Sequence, residues 1–391
     1  MAGSSIRNLA SGREILISAG SGGVGKTTTA AAVATMAAAT LGLKVLVITV
    51  DPARRLANAM GLEQFGNVES RVPDEAFQGA GVRPTGELWA AMLDTKESWD
   101  DLVRRHAPDA QTRDAILANP LYANISSRFV QSHDYVAMER LYEIHSSGRY
   151  DLLAVATPPT RNALDFLDAP QRMADFFSSR LLRWLIAPSR SRVLTLASKP
   201  FYTVADRILG SQFLQDIAEF FILFQTMYDG FVERSEAVSR LLASDDTSFI
   251  VVSTLEVSPA REAKYFLAEL NKRNYDVGAL VLNKTLPSTL TDQASTVTAH
   301  DLVEHGAERA EPLGEALGLE QDRQALLGRM LPELGENFLR FQLVAGREAE
   351  ERDRLAVGAG TVASVPYFTE DITDIAGLVR LGKRLWDENP A

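Results

Sequence analysis

The chain has 391 residues, is 46% hydrophobic and 23% charged, and carries a net charge of −11 with no cysteine. That length admits one large α/β domain or two smaller ones in an ordinary globular balance. The acidic balance argues against a nucleic-acid partner, which needs a basic face, and the missing thiols remove disulfides, thiolate zinc sites and thiol nucleophiles together.

In chain order, residues 1–12 read as a loose tail. Glu14 to Ser18 is a short apolar run of a buried strand. It leads into Gly20-Ser21-Gly22-Gly23-Val24-Gly25-Lys26-Thr27 and then an alanine-rich helix to Thr40. This is G-x-x-x-x-G-K-[ST] between a strand and a helix, the setting in which that pattern binds a nucleoside triphosphate. Glycines let backbone N–H groups turn toward a phosphate, and the helix N-terminus adds partial positive charge. Gly22, Gly23, Val24, Gly25 and Thr28 are expected around the phosphates. Lys26 is placed to reach the β- and γ-phosphates, and the Thr27 hydroxyl to ligate Mg²⁺.

Lys44 to Val50 is a continuous apolar run, the mark of a strand covered on both faces, and it ends at Asp51-Pro52-Ala53. Strand, helix and strand in so short a span imply a right-handed βαβ unit. Leu88 to Leu93 is a third strand. From Lys96 to Ser147 the pattern turns helical, with Tyr135, Met138, Leu141 and Tyr142 on one face. Asp151 to Ala156 is a fourth strand, followed by Thr157-Pro158-Pro159-Thr160. A long helical stretch runs from Asn162 to about Ala243. Further strands are expected at Ser248–Thr254, Val277–Leu282 and Thr361–Val365, with helices at Pro259–Arg273 and Asp371–Trp386. Pro287 to Thr298 reads as a loop, and residues 300–356 as charged helix. His300 and His305 read as solvated helix residues.

The pattern predicts an α/β fold: a P-loop NTPase with a mostly parallel central sheet flanked by helices, plus a helical subdomain. Residues 13–95, 148–168, 246–285 and 360–391 make the nucleotide-binding core, about 96–147 and 169–245 the helical subdomain, and 300–356 a helical insertion. Ligands of such sheets sit at the carboxyl ends of the strands. Asp51 at such an end is placed to orient or deprotonate an attacking water, or to cap the helix after it. Asn283, with Lys284, ends an apolar strand and offers an amide to an adenine edge, or is a plain turn residue. No stretch approaches the ~20 apolar residues of a membrane helix, and Met1 to Arg13 lacks the apolar core of a leader. A cytoplasmic chain with at most peripheral membrane contact is expected.

The stretch Met173 to Phe231 is rich in aromatic residues. Phe213, Phe220, Phe224 and Met227 share a helical stripe, which is either core packing or a groove for an apolar helix or lipid-like client. Five cations between Phe176 and Ala205, from Arg180 to Lys199, have no acid among them; they are a solvated face or a contact for an anionic surface.

Together these motifs resemble the ArsA family of ATPases, which includes arsenite-pump ATPases and the eukaryotic ATPases that target tail-anchored membrane proteins. The resemblance covers most of the chain. It rests on Gly20 to Thr28, on Asp51-Pro52-Ala53 in the switch I place, on Tyr150-Asp151 through Thr157-Pro158-Pro159-Thr160 at switch II, on Asn283-Lys284 with Pro287 at the base, and on Val365-Pro366 as a second base-contacting loop. It implies ATP and Mg²⁺, and a homodimer or a heterodimer with a related ATPase subunit that closes around two nucleotides. It also implies a hydrophobic protein or lipid-like client.

Two positions depart from the family pattern. Where the family's loop has a first lysine that crosses to the other subunit's nucleotide, this chain has Ser21. Where the family has an acidic residue that holds the Mg²⁺ shell, it has Ala156. Asp151 stands at the wrong end of the same strand to replace that carboxylate. Weakened Mg²⁺ coordination and slow hydrolysis are expected, from a substitution that stalls the cycle or in a naturally inactive ATPase. Arsenite binding and a zinc-clasped dimer both need cysteines, which this chain lacks.

Overall fold

The computed structural model describes residues 5–50, 57, 59–62, 66–93, 95–122, 130–158, 167–172, 175 and 219–386. Its strands are β1 (Ile15–Ala19), β2 (Lys44–Thr49), β3 (Ser70–Arg71), β4 (Glu87–Met92), β5 (Leu152–Ala156), β6 (Thr247–Ser253), β7 (Val277–Thr285) and β8 (Thr361–Pro366). They form one eight-stranded sheet in the order β3-β4-β2-β5-β1-β6-β7-β8. Every pairing is parallel except that of β3 with β4. The expected strands are all present. The two-residue β3 went unread, because so short an edge strand has no periodicity to detect.

Alternate residues of each strand feed two core layers, as the period of two requires. Leu16, Val45, Val47, Leu152, Ala154 and Ala156 face helices α1 (Ile6–Gly12), α2 (Lys26–Thr40) and α10 (Ile375–Trp386). Ile15, Ile17, Leu46, Ile48, Leu153 and Val155 face α5 (Val130–Ser146), α6 (Tyr228–Leu242) and α7 (Val257–Lys272). Helix α2 is buried nearly all round because it lies between the sheet and α10. Its alanines permit that sandwich, and a Cβ on Gly382 of α10 would meet the Met36 Cγ at 2.2 Å.

Two expectations are corrected. Residues 6–12 are helix α1, capped by the Ser5 side chain, which accepts from the Asn8 N–H at 3.2 Å, and Ile6, Leu9 and Ala10 are buried. The apolar spacing of these three residues lies within only two turns, too short for a periodic signal. The loop expected up to Thr298 ends early, because Asp292 caps α8 (Gln293–Ala316) by accepting from the Ser295 N–H at 3.0 Å. Helix α8 is followed by α9 (Gln321–Ala356).

A third cluster joins α3 (Thr95–His106), α4 (Ala110–Ala118), α5 and α6 through Trp99, Leu102, Ile116, Tyr135, Phe224 and Phe231. Phe220, Phe224 and Met227 of the sequence stripe are buried here, which makes them core; Phe213 lies outside the described residues, as does the basic run Arg180 to Lys199. Tyr135 donates to Glu139 at 2.6 Å, and Glu139 pairs with Arg234. Burial pushes the Glu139 carboxyl up, against the pull of Arg234.

Beside them, partial desolvation and the neighbouring Arg234 and Arg105 lower the imidazole of His106, itself on the surface, to about 4. An unfolded histidine titrates near 6.5, so between about 4 and 6.5 the unfolded chain binds a proton that the folded chain refuses. Stability therefore falls as pH drops through that window, and does so less in His106→Gln. Thermal midpoints of the two proteins from pH 7.5 to 4 measure the difference; parallel curves would refute it.

Candidate nucleotide site at the carboxyl ends of the strands

The glycine loop leaves β1 where the sheet order reverses: the chain next crosses to β2 on one side, while β6, β7 and β8 extend the other. Such switch points open a crevice at the strand ends. Three glycines adopt conformations with positive φ, Gly20 at 153°, Gly23 at 79° and Gly25 at 102°. Space is as restrictive as torsion. A Cβ on Gly20 would stand 2.1 Å from the Val252 carbonyl oxygen, and one on Gly25 would stand 2.4 Å from Asn283 Nδ2. Gly25 caps α2 and its carbonyl accepts the Thr29 N–H at 2.9 Å, which starts the helix directly beneath the loop.

Lys26 is buried and its Nζ donates to the Ser21 carbonyl at 2.8 Å, so the ammonium is carried back along the loop. Thr27 and Thr28 are half-buried in the first turn of α2, Val24 is buried, and Gly22 and Gly23 are exposed. Asn283, near the end of β7, donates from Nδ2 to the Val24 carbonyl at 2.8 Å and accepts the Lys284 N–H at Oδ1 at 3.0 Å. A primary amide has two donors and two acceptor positions, so one of each remains. Lys284 has a left-handed backbone with φ 58°, and at this point the register between β7 and β8 shifts, leaving Thr285 opposite Pro366.

On the other side, Ala156 pairs with Ser18 of β1 and Thr49 of β2, its methyl buried on the α2 face of the sheet. The Thr157 N–H donates to the Ser18 carbonyl at 3.1 Å, and Pro158 is buried behind it. Asp151 sits at the opposite end of the sheet, where it accepts the Lys44 N–H at 2.7 Å. Asp51, with Pro52 and Ala53, lies outside the described residues, as do Pro159 and Thr160.

Three hydroxyls, Ser21 Oγ in the loop and Thr157 Oγ1 and Thr254 Oγ1 at the strand ends beside it, are buried with no hydrogen-bond partner among the described residues. They follow β1, β5 and β6, three neighbouring strands. Orphaned buried hydroxyls are uncommon in folded proteins and mark a strained or ligand-binding place. Thr254 was not singled out from sequence; its position one residue past a buried strand, beside the strand that bears the loop, is the signal that finds it. Among the described residues there is no group of three or more His, Cys, Asp or Glu suited to a metal ion.

The strand order and the loop together define a P-loop nucleoside triphosphatase. Residues 13–306 match the family of anion-transporting ATPases, the ArsA ATPases, and the chain belongs to that family. It is 27% identical to the ATPase get3 of Aspergillus niger over 68% of this chain and 71% of that protein. It is 25% identical to a putative arsenical pump-driving ATPase 1 of Aquifex aeolicus over 71% of this chain and 65% of that one. An ATPase ASNA1 homolog of Paramecium tetraurelia is 24% identical over 68% of this chain and 73% of its own. ATP binding and hydrolysis are the activity of this family.

Gly25→Ala places a methyl where Asn283 Nδ2 stands and forces a left-handed conformation that costs an L-residue roughly 1–2 kcal/mol. ATP affinity is expected to fall at least tenfold with the fold retained. Titration calorimetry measures this, and affinity equal to that of the parent chain would contradict the role given to the loop.

Proposed function

We propose that this chain is an ATP-dependent conformational switch that works as a dimer and whose own hydrolysis is slow. The observation that carries the reading is the loop itself. Its glycines are held against Val252 and Asn283, and the hydroxyls of Ser21 in the loop and of Thr157 and Thr254 beside it lack a partner among the described residues. The residues suit a triphosphate: backbone N–H groups of Gly22 to Thr28 toward the phosphates, Lys26 toward the β- and γ-phosphates, and the free positions of the Asn283 amide toward an adenine edge, with Lys284 and Pro366 beside it. Mg²⁺ usually keeps several waters and takes only one or two protein ligands. Thr27 is the hydroxyl on this chain that would hold it, and the ion would supply charge neutralisation between the β- and γ-phosphates. Asp51 is the residue we assign to positioning the attacking water.

Ala156 removes the carboxylate that would otherwise steady that ion, because a methyl offers no oxygen and Asp151 is at the far end of the strand. Ser21 removes a cation from the loop. Cationic groups aimed at a transferring phosphoryl group are worth roughly 10³–10⁵ in rate. Loss of both favours binding over turnover. Thr157 and Pro158, beside the loop and bonded to β1, are the hinge through which nucleotide is felt by the helical region. A hydrophobic or membrane-related client is the load we assign to that region.

A second reading is a non-catalytic subunit that binds ATP and pairs with a related chain bearing the missing lysine. It is favoured by Ser21, whose buried neutral hydroxyl has no partner among the described residues. In such a heterodimer the site on this chain is completed from outside while the other site lacks its cation.

Ala156→Asp is expected to raise Mg²⁺-dependent turnover by at least tenfold, measured as phosphate release by the purified chain. Unchanged turnover would reject the account of Ala156. Lys26→Ala is expected to abolish nucleotide binding in both proteins.

A further inference from the structure

Helix α9 bears two rows of residues at alternating steps of three and four, the spacing of a coiled-coil seam. The first row is occupied by α8. A Cβ on Gly314 would meet Gln324 Cγ at 2.5 Å, one on Gly328 would lie 3.4 Å from the Ala310 Cβ, and one on Gly335 would meet the Ala299 carbonyl oxygen at 2.5 Å. Gln342 closes this row by donating to the Thr296 hydroxyl. Small residues thus bring the two helices together, with Leu331 the large apolar residue of α9 buried among them against Gly306 of α8.

The second row is Leu327, Met330, Leu334, Asn337, Phe341 and Val344, five apolar residues and one amide. Met330 is 54% exposed, Leu334 59% and Phe341 55%. Isolated exposed apolar residues are ordinary, but a continuous stripe at seam spacing is not. All of α9 lies beyond residue 306, where the match to the family ends.

We propose that this outer row of α9 is the seam for the same row of a second copy of the chain, running antiparallel. Aligned so that Leu327 lies beside Val344 of the other copy, the row also sets Met330 beside Phe341 and Leu334 beside Asn337. Leu327, Met330, Phe341 and Val344 then have apolar partners, and Asn337 of each copy falls opposite Leu334, a polar residue within the seam of the kind that fixes register. Charge selects the direction. Glu333 and Arg340 flank the row one residue before Leu334 and Phe341. In the antiparallel alignment Glu333 of each copy meets Arg340 of the other, twice over. In a parallel alignment the same positions would face Phe338 and its heptad equivalents. In the free chain Arg340 pairs with Glu336 at 3.1 Å, but both side chains are exposed and such pairs are weak. No residue of the row belongs to the nucleotide site, so pairing through it adds to the dimer proposed above and does not depend on it.

The experiment is sedimentation of the full chain without nucleotide across micromolar concentrations. Phe341→Lys is expected to halve the mass of the assembly while circular dichroism and ATP binding stay as in the parent. Glu333→Arg and Arg340→Glu should each weaken self-association several-fold, and an equimolar mixture of the two should restore it, because each then faces opposite charge. A mass indifferent to Phe341→Lys would overturn the proposal. A mixture no tighter than either variant alone would overturn the antiparallel arrangement. Unaltered ATP binding by these variants keeps a failure here distinct from a failure at the loop.

Discussion

A side-chain amide on the seventh strand holds the loop that follows the first. The carbonyls of a phosphate loop must point away from the phosphates if its N–H groups are to point toward them. Each carbonyl so displaced needs a donor. Asn283 supplies one to Val24, and it approaches so closely that residue 25 has no room for a side chain. The Val252 carbonyl crowds Gly20 in the same way from β6. The loop is thus shaped by its neighbours as much as by its own torsions, and its geometry depends on β1, β6 and β7 lying side by side in register.

That register is secured by burial on both faces. Residues one apart on β1, such as Leu16 and Ile17, belong to different core layers. A slip of one residue would exchange the two layers and lift the loop off Asn283. The helical region has a different organisation. Its aromatic cluster is joined to the sheet through α5 and α6, and between these helices the Glu139–Arg234 pair and the Tyr135 hydroxyl form a buried polar link. Buried ion pairs contribute little net stability once desolvation is counted, but breaking one is costly. This link therefore fixes how α5 meets α6 more than how tightly they hold.

Much of the fold was legible because a doubly covered parallel strand leaves a plain mark, an apolar run ending in a small or polar residue. Six of the eight strands have it; the edge strands β3 and β8 do not. The phosphate loop was legible for a related reason: its chemistry is local, eight residues in a row. What escaped was non-local. Nothing in the sequence says that the Asn283 amide is spent partly on Val24, because that contact spans 259 positions. Thr254 escaped because a threonine after a strand is unremarkable until the strand is known to adjoin β1. The aromatic stripe could be read as groove or core, and only the packing of Phe224 against Trp99 and Phe231 decided for core. The first helix was lost to brevity, and the seam on α9 was hidden among charges that made the whole segment look merely solvated.

The length of α9 has a mechanical consequence. With 36 residues, the helix is about 54 Å long at 1.5 Å per residue. Near its carboxyl end Glu348 accepts the Leu286 N–H at 3.0 Å, three residues beyond Asn283. The helix then runs directly to β8, whose Pro366 stands opposite Thr285. Its base is therefore fastened to the same few residues that brace the glycine loop, while its far end stands a rod's length away. A tilt of about 5° at the base sweeps the tip through roughly 5 Å on a rod of this rise. Shifts too small to disturb a hydrogen bond at the strand ends become, at the tip, displacements the size of a side chain.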